Sequence, residues 1–306
     1  IDLSRHVNDS CGAKKFTIES VKEFNKTVRR GAWCWYYDLK SAFHHISVRE
    51  VHRKYLGFKA TVDGKEKVFR FIAMPFGYRD ASRILTKVLR TPICKWRMAG
   101  VPSFIHIDDG LGFKATKKEA SVAADMIKKD LDILGLVTSR DKCQWEPVQE
   151  FVWCGFNWDT KEFTVSVTGE KRDRIKAMAR ELYGQEWVSA REMAGLTGLI
   201  ISCAPAVGRA TRFYTRFCVR WCQDVVDEQS WGARSKLSDE VREELRFWEL
   251  RMEDHCSKLI RHTAGVTEVY VCSDAGGHLI GGTVTINGKE QVQKRFQVSL
   301  EEWEKE

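Results

Sequence analysis

Val101-Pro102-Ser103-Phe104-Ile105-His106-Ile107-Asp108-Asp109-Gly110-Leu111-Gly112-Phe113 reads as an apolar strand, a turn carrying two carboxylates, and a return strand. About seventy residues upstream, a lone Asp38 closes a second apolar run, Trp33–Tyr37. Strand ends bearing one and two carboxylates are what a chain needs to hold two hard divalent cations. Such ions, clamped about 3.5–4 Å apart by carboxylate oxygens, serve in-line phosphoryl transfer.

The surrounding pattern places these strand ends in one sheet. Phe58–Phe71 alternates apolar and polar residues around Asp63-Gly64, which predicts a hairpin with a tight turn. Asp80–Arg97 has helical spacing, with Ile84, Leu85, Val88 and Leu89 as its apolar face, and Pro92 is expected to kink it or end its first part. Lys118–Leu134 predicts a second amphipathic helix stopped at Gly135. Strand, helix, hairpin, helix, strand is the ferredoxin-like order, which brings distant strand ends together.

After Thr160 the pattern turns nearly all helical: Gly169–Tyr183, a helix opened by the capping box Ser189-Ala190-Arg191-Glu192, and one starting at Ser238 with Asp239 and Glu240 in its first turn. From about Thr267 three short strand-like runs follow, Glu268–Ser273, Gly281–Ile286 and Val292–Phe296, with Asn287-Gly288 as a hairpin turn.

The chain has 306 residues, enough for two or three domains, and a net charge of +8 that leans toward a polyanionic partner. No run of 18 apolar residues and no signal peptide is present, so the expectation is an intracellular chain, cytoplasmic or nuclear, without membrane contact. It opens on Ile1, as a piece of a longer product would. Ten cysteines lack any Cys-x-x-Cys pair, which favours free, buried thiols over a zinc site or a disulfide framework.

Five segments, in order, resemble the reverse transcriptases. Asp38-Leu39-Lys40-Ser41-Ala42-Phe43-His44-His45-Ile46 is similar to that family's first catalytic motif and Met74-Pro75-Phe76-Gly77 to its second. Asp108-Asp109 matches the paired-aspartate hairpin, Gly135-Leu136 through Asp141-Lys142-Cys143 the fourth motif, and Trp153-Cys154-Gly155-Phe156 the hairpin that grips the primer end. The resemblance implies an α+β polymerase right hand with a ferredoxin-like palm. Residues 1–160 would form partial fingers and palm, 161–262 a helical thumb and connection, and 267–306 an incomplete RNase H-like domain.

It also implies roles. Asp38, Asp108 and Asp109 would hold two Mg²⁺ (or Mn²⁺) ions, and Lys142 would protonate the leaving pyrophosphate. Phe43 would exclude a 2′-hydroxyl, with Phe76, Gly77 and His106 around the nucleotide and primer end, and Trp153, Gly155 and Phe156 under the primer. The partners would be an RNA template, a DNA primer, deoxynucleoside triphosphates and other parts of a parent polyprotein. Val269–Ala275 resembles the first RNase H strand, so Asp274 would be a vestigial metal ligand and no RNase H activity is expected. The same motifs look most like DIRS-type retrotransposons, with Gypsy-type elements as the near alternative.

Arg209, Arg212, Arg216 and Arg220 recur at spacings of three, four and four, with no acid between Glu192 and Asp224. On one helix this would set four guanidinium groups on one face, a track for phosphates. Three features depart from the family pattern. His106 stands where Tyr or Phe is usual, the basic residues that normally precede Ile1–Asn8 are missing, and the RNase H part is short. They keep open a catalytically silent nucleic-acid-binding relic; a metal-dependent nuclease leaves Phe43 and the primer-grip run unexplained.

Overall fold

The computed structural model describes residues 3, 7–12, 14–19 and 21–260, together with the backbone of 269–276, 279–286 and 289–297. It divides into two compact units, Ile1–Ile260 and Arg261–Glu306.

In the first unit a short helix α1 (Val21–Thr27) leads into β1 (Trp33–Asp38). A 3-10 turn (Ala42–His45), α2 (Glu50–Arg53) and the hairpin β2 (Gly57–Val62) and β3 (Lys65–Arg70) follow. Asp63 and Gly64 both take positive φ, as a two-residue hairpin turn demands. Next come α3 (Ala81–Met98), β4 (Ser103–His106), β5 (Asp109–Lys114), α4 (Lys117–Ile133) and β6 (Gln144–Val148). Strands β4-β5-β1-β6 form one antiparallel sheet. With the β2–β3 insertion set aside, this is the ferredoxin-like order expected from the pattern.

β1 is apolar up to Asp38 because both of its faces pack into cores. Trp35 and Tyr37 point into a core made with Leu85, Leu89, Ile93 and Trp96 of α3 and Ile127 and Leu131 of α4. Cys34 points the other way, toward Phe24, Phe113, Phe151 and Trp158. The α3 face is rotated from the one expected. Val88 is 48% exposed, and the buried line runs through Leu85, Leu89, Pro92, Ile93 and Trp96. The helix continues through Pro92 to Met98.

Glycine decides how β5 lies on β1. Gly110 and Gly112 are register partners of Tyr37 and Trp35, and a Cβ on either would sit 2.1 Å and 2.3 Å from the facing ring. Two large rings therefore lie flat over backbone that carries no side chain.

The remainder of this unit is more mixed than its sequence pattern suggests. β7 (Glu150–Trp153), β8 (Phe156–Asp159) and β9 (Thr164–Val167) precede α5 (Gly169–Tyr183). β10 (Trp187–Ser189), α6 (Ala190–Ser202), α7 (Ala204–Val207), α8 (Ala210–Phe213) and α9 (Arg216–Glu228) follow. β11 (Arg234–Lys236), α10 (Asp239–His255) and β12 (Ser257–Leu259) end the unit. β12 returns to pair with β9, which gives a second four-stranded sheet, β12-β9-β8-β7. The Ser189/Glu192 capping box is present, and Ser238 accepts from Val241 N–H at the start of α10. Helix α5 packs along α10, and α6 along α9.

The second unit contains β13 (Val269–Gly276), β14 (Leu279–Ile286) and β15 (Lys289–Gln297), an antiparallel meander. Asp274 lies on β13 opposite Gly281. The turn residues Asn287 and Gly288 fall outside the described residues. Among the described residues no helix is long and apolar enough to cross a membrane. Cys34, Cys203, Cys218, Cys222 and Cys256 are buried free thiols, whereas Cys94 is exposed.

Candidate active site

Asp38 ends β1, Asp109 opens β5, and the two are register partners. His106 closes β4 opposite Asp109. The β4–β5 turn is Ile107-Asp108, with Ile107 at φ 62°, an uncommon backbone setting for a β-branched residue. Asp108 C=O accepts from Leu39 N–H at 3.0 Å, which ties this turn to the chain leaving β1. Three carboxylates thus lie at one end of the sheet, near enough for Asp108 and Asp38 to act on Asp109 through their charges.

Their charges are poorly compensated. Burial, then Asp108, then Asp38 push the Asp109 carboxyl above its ordinary range, and His106 and Lys142 only partly oppose this. Lys142 Nζ stands 3.6 Å from Asp38 Oδ2, and its side chain is largely exposed. The loop carrying it lies along the chain after β1. Ser139 N–H donates to Asp38 C=O at 2.8 Å, Lys40 N–H to Val137 C=O at 2.9 Å, and Leu39 bridges Thr138. Asp38 N–H donates to Cys143 Sγ at 3.3 Å, and burial raises that thiol.

His106 is held from outside the hairpin. Its Nδ1 bonds Glu19 C=O at 2.8 Å, while the Glu19 carboxylate takes Arg97 at 2.6 Å and Ile105 N–H at 3.4 Å. A carbonyl only accepts, so Nδ1 carries the proton.

Phe43 follows β1 on the 3-10 turn, half-buried, and meets Phe76 edge-on at 5.2 Å. Phe76 is 55% exposed. Gly77 takes φ 83°, and its carbonyl accepts from Asn8 Nδ2 at 2.8 Å while Asn8 Oδ1 accepts from Arg79 N–H at 2.8 Å. A single asparagine therefore holds both sides of this turn.

Trp153 and Phe156 flank the β7–β8 turn, and both side chains are core, 4% and 3% exposed. The surface of this hairpin is its tip, Cys154-Gly155, with φ of 50° and 74°. The tip sits beside the acids: the Cys154 thiol is pushed up to about 12 by burial and then by the charges of Asp109 and Asp108.

The arginine stripe is not one helix face. Gly208, at φ 82°, separates α7 from α8, and Tyr214-Thr215 separates α8 from α9. Helix α10 supplies the reason. Trp248 Nε1 occupies Tyr214 C=O at 2.6 Å, and the buried Glu244 carboxylate accepts from Phe217 and Cys218 N–H at 3.2 and 2.9 Å, capping α9. Arg209 and Arg212 belong to one segment, Arg216 and Arg220 to the next. All four are exposed, and none has a carboxylate partner within 4.0 Å among the described residues. Arg216 lies over the rings of Phe213 and Phe217.

Hard oxygen donors under mutual repulsion are suited in kind to a divalent cation. Among the described residues no three potential ligands converge at metal-binding spacing. Glu19 carries no local sequence signal for its place here, and Asn8, Cys143 and Cys154, although they fall in motif-like segments, carry none for the contacts they make. They are recruited by chain segments far apart in sequence.

Comparison with known proteins gives the family and the fold. Residues 4–158 match the reverse transcriptase (RNA-dependent DNA polymerase) family. No curated protein sequence matches the chain. The fold is similar to that of a foamy viral protease-reverse transcriptase in its dRH form with double-stranded DNA, at TM-score 0.63 and 14% identity over 97% of this chain and 48% of that one. It is similar to the foamy viral enzyme with an RNA/DNA hybrid, at 0.63 and 14% over 97% and 37%. A further structure of that enzyme with double-stranded DNA gives 0.64 and 15% over 97% and 58%. The chain thus spans between about a third and three fifths of those proteins. With the family match covering half of its length, the chain belongs to the reverse transcriptase family.

Proposed function

We propose that this chain is the polymerase part of an RNA-directed DNA polymerase, extending a DNA primer with deoxynucleoside triphosphates on an RNA template. The observation that carries the reading is the Asp38–Asp109 register pair beside Asp108, with the Asp109 carboxyl pushed up by its neighbours. The foamy viral protein was solved with double-stranded DNA and with an RNA/DNA hybrid, and this chain would hold the same class of duplex.

Asp38, Asp108 and Asp109 would hold two Mg²⁺ (or Mn²⁺) ions. When bound, such ions lower the pKa of the primer 3′-hydroxyl and neutralise charge on the triphosphate. Lys142, an exposed ammonium 3.6 Å from Asp38, gives a proton to the departing pyrophosphate. Phe43 and Phe76 offer ring edges to the sugar, and the Gly77 turn lets backbone approach the nucleotide. His106, fixed through Nδ1, and the Cys154-Gly155 tip support the primer end, while buried Trp153 and Phe156 hold that tip in place. The four exposed arginines contact duplex phosphates from two helical segments.

In this reading residues 1–160 are palm with partial fingers, 161–262 thumb and connection, and 267–306 the start of an RNase H-like domain with Asp274 on its first strand. The motif wording supports a retrotransposon parent, DIRS-type ahead of Gypsy-type. The test is primer extension on oligo(dT)-primed poly(rA), with Mg²⁺ and then Mn²⁺, and Asp108→Asn as control. Extension abolished by Asp108→Asn supports the polymerase. Tight, salt-sensitive retention without extension identifies a silent relic, and shortened primer identifies a nuclease.

A further inference from the structure

Besides the contacts of Lys142 and Cys143 with Asp38, the loop that carries Lys142 is tied by backbone and by one side chain of the 3-10 turn. Val137 C=O accepts from Lys40 N–H at 2.9 Å, and Val137 N–H donates to Nε2 of His45 at 3.0 Å. A backbone amide only donates, so Nε2 must be the unprotonated nitrogen. The proton then resides on Nδ1, which faces Ala42 C=O at 3.3 Å within the same 3-10 turn. Both ring nitrogens are therefore used, and only the neutral imidazole satisfies both contacts.

His45 lies at a junction. Its turn contains Phe43, two residues earlier, and continues from the strand that ends in Asp38. Val137 begins the stretch in which Thr138 bridges Leu39, Ser139 binds Asp38 C=O, and Lys142 reaches Asp38 Oδ2 at 3.6 Å. The ring thus links the residue set against the sugar to the loop that brings the ammonium to the carboxylates.

We infer that His45 is a positioning residue for the polymerase reaction, whose Nε2 acceptor holds Val137 and through it sets the loop that presents Lys142. This rests on the polymerase reading above. The ring borders a cavity of about 220 Å³ lined by Ile46, Leu85, Leu89, Pro92 and Leu136 with Val88, Thr91, Leu134 and Gly135. Among the described residues that line this cavity, His45 is the one titratable group. Its neighbour on its own turn, His44, is exposed and lies edge-on to Phe76 at 5.1 Å.

The test measures two quantities on the full chain. Hydrogen exchange at the Val137 amide, expressed as a protection factor at pH 7, needs no activity. Single-turnover incorporation gives the rate and the nucleotide KM. His45→Ala should lower that protection about fivefold, with incorporation about fivefold slower and KM within about twofold. His45→Gln keeps an acceptor oxygen, so it should restore rate and protection. Unaltered Val137 protection in His45→Ala, or Gln and Ala variants indistinguishable in both readouts, would overturn the assignment. If the wild type incorporates nothing, the polymerase reading fails while the exchange arm still decides the tether.

Discussion

Asp109 sits directly across the β1–β5 ladder from Asp38, so folding forces two carboxylates together before any ligand arrives. Burial and the charges of Asp108 and Asp38 raise the Asp109 carboxyl. In the unfolded chain the same group ionises in the ordinary range, near 3.9. As pH climbs through the raised folded value, the unfolded state therefore holds fewer protons, and stability falls. The penalty grows as pH rises through the raised folded value and is absent in acid below both values. Asp109→Asn should raise Tm at pH 7 by about 2 °C, with the gain vanishing near pH 3. Mg²⁺ should raise the wild-type Tm more than the variant's. Scanning calorimetry at both pH values checks this, and a Tm that drops at pH 7 would contradict the repulsion.

Phe43 reaches toward Phe76 from a turn fixed by β1, which leaves its ring little freedom to withdraw. If that ring excludes a 2′-hydroxyl, Phe43→Ala should lower the preference for deoxy- over ribonucleotides by at least about tenfold. The ratio of kcat/KM for the two sugars is the measurement. An unchanged ratio removes Phe43 from sugar selection.

The part of this site that is local in sequence was readable, and the rest is long-range. The Ile107-Asp108-Asp109 hairpin, the Asp63-Gly64 turn and the Ser189/Glu192 capping box each declare themselves within a few residues. The hold of Glu19 on His106 and the thiol of Cys143 on Asp38 span 87 and 105 residues and use a backbone carbonyl and a weak acceptor, which no spacing rule marks. The arginine periodicity is present, yet Trp248 and Glu244 take the backbone groups that a continuous helix would need. Tertiary partners decided where that helix stops.

The two glycines of β5 make a test of packing separate from chemistry. At Gly112 a Cβ would stand 2.3 Å from Trp35 Cζ2, and Trp35 is fully buried with no room to turn. Gly112→Ala should cost at least about 2 kcal/mol. At Gly198 on α6 nothing lies within 4 Å, so Gly198→Ala should add about 0.5–1 kcal/mol through helix propensity alone. Urea midpoints for the pair separate the two effects, and a Gly112→Ala midpoint equal to wild type would mean the Trp35 ring does not cover this strand.

Arg212 and Arg220 lie on different helical segments, so duplex binding tests whether the break matters. Among the described residues neither has a carboxylate within 4.0 Å, and both present charge to solvent. If each neutralises one phosphate, the slope of log K against log salt should shrink by about 0.9 for each residue changed to Gln, nearly 2 for the double variant. A shared groove requires these decrements to be additive whichever residue is changed first. If Arg212→Gln shifts the slope and Arg220→Gln does not, the track ends at Tyr214-Thr215, and α9 faces something other than the duplex.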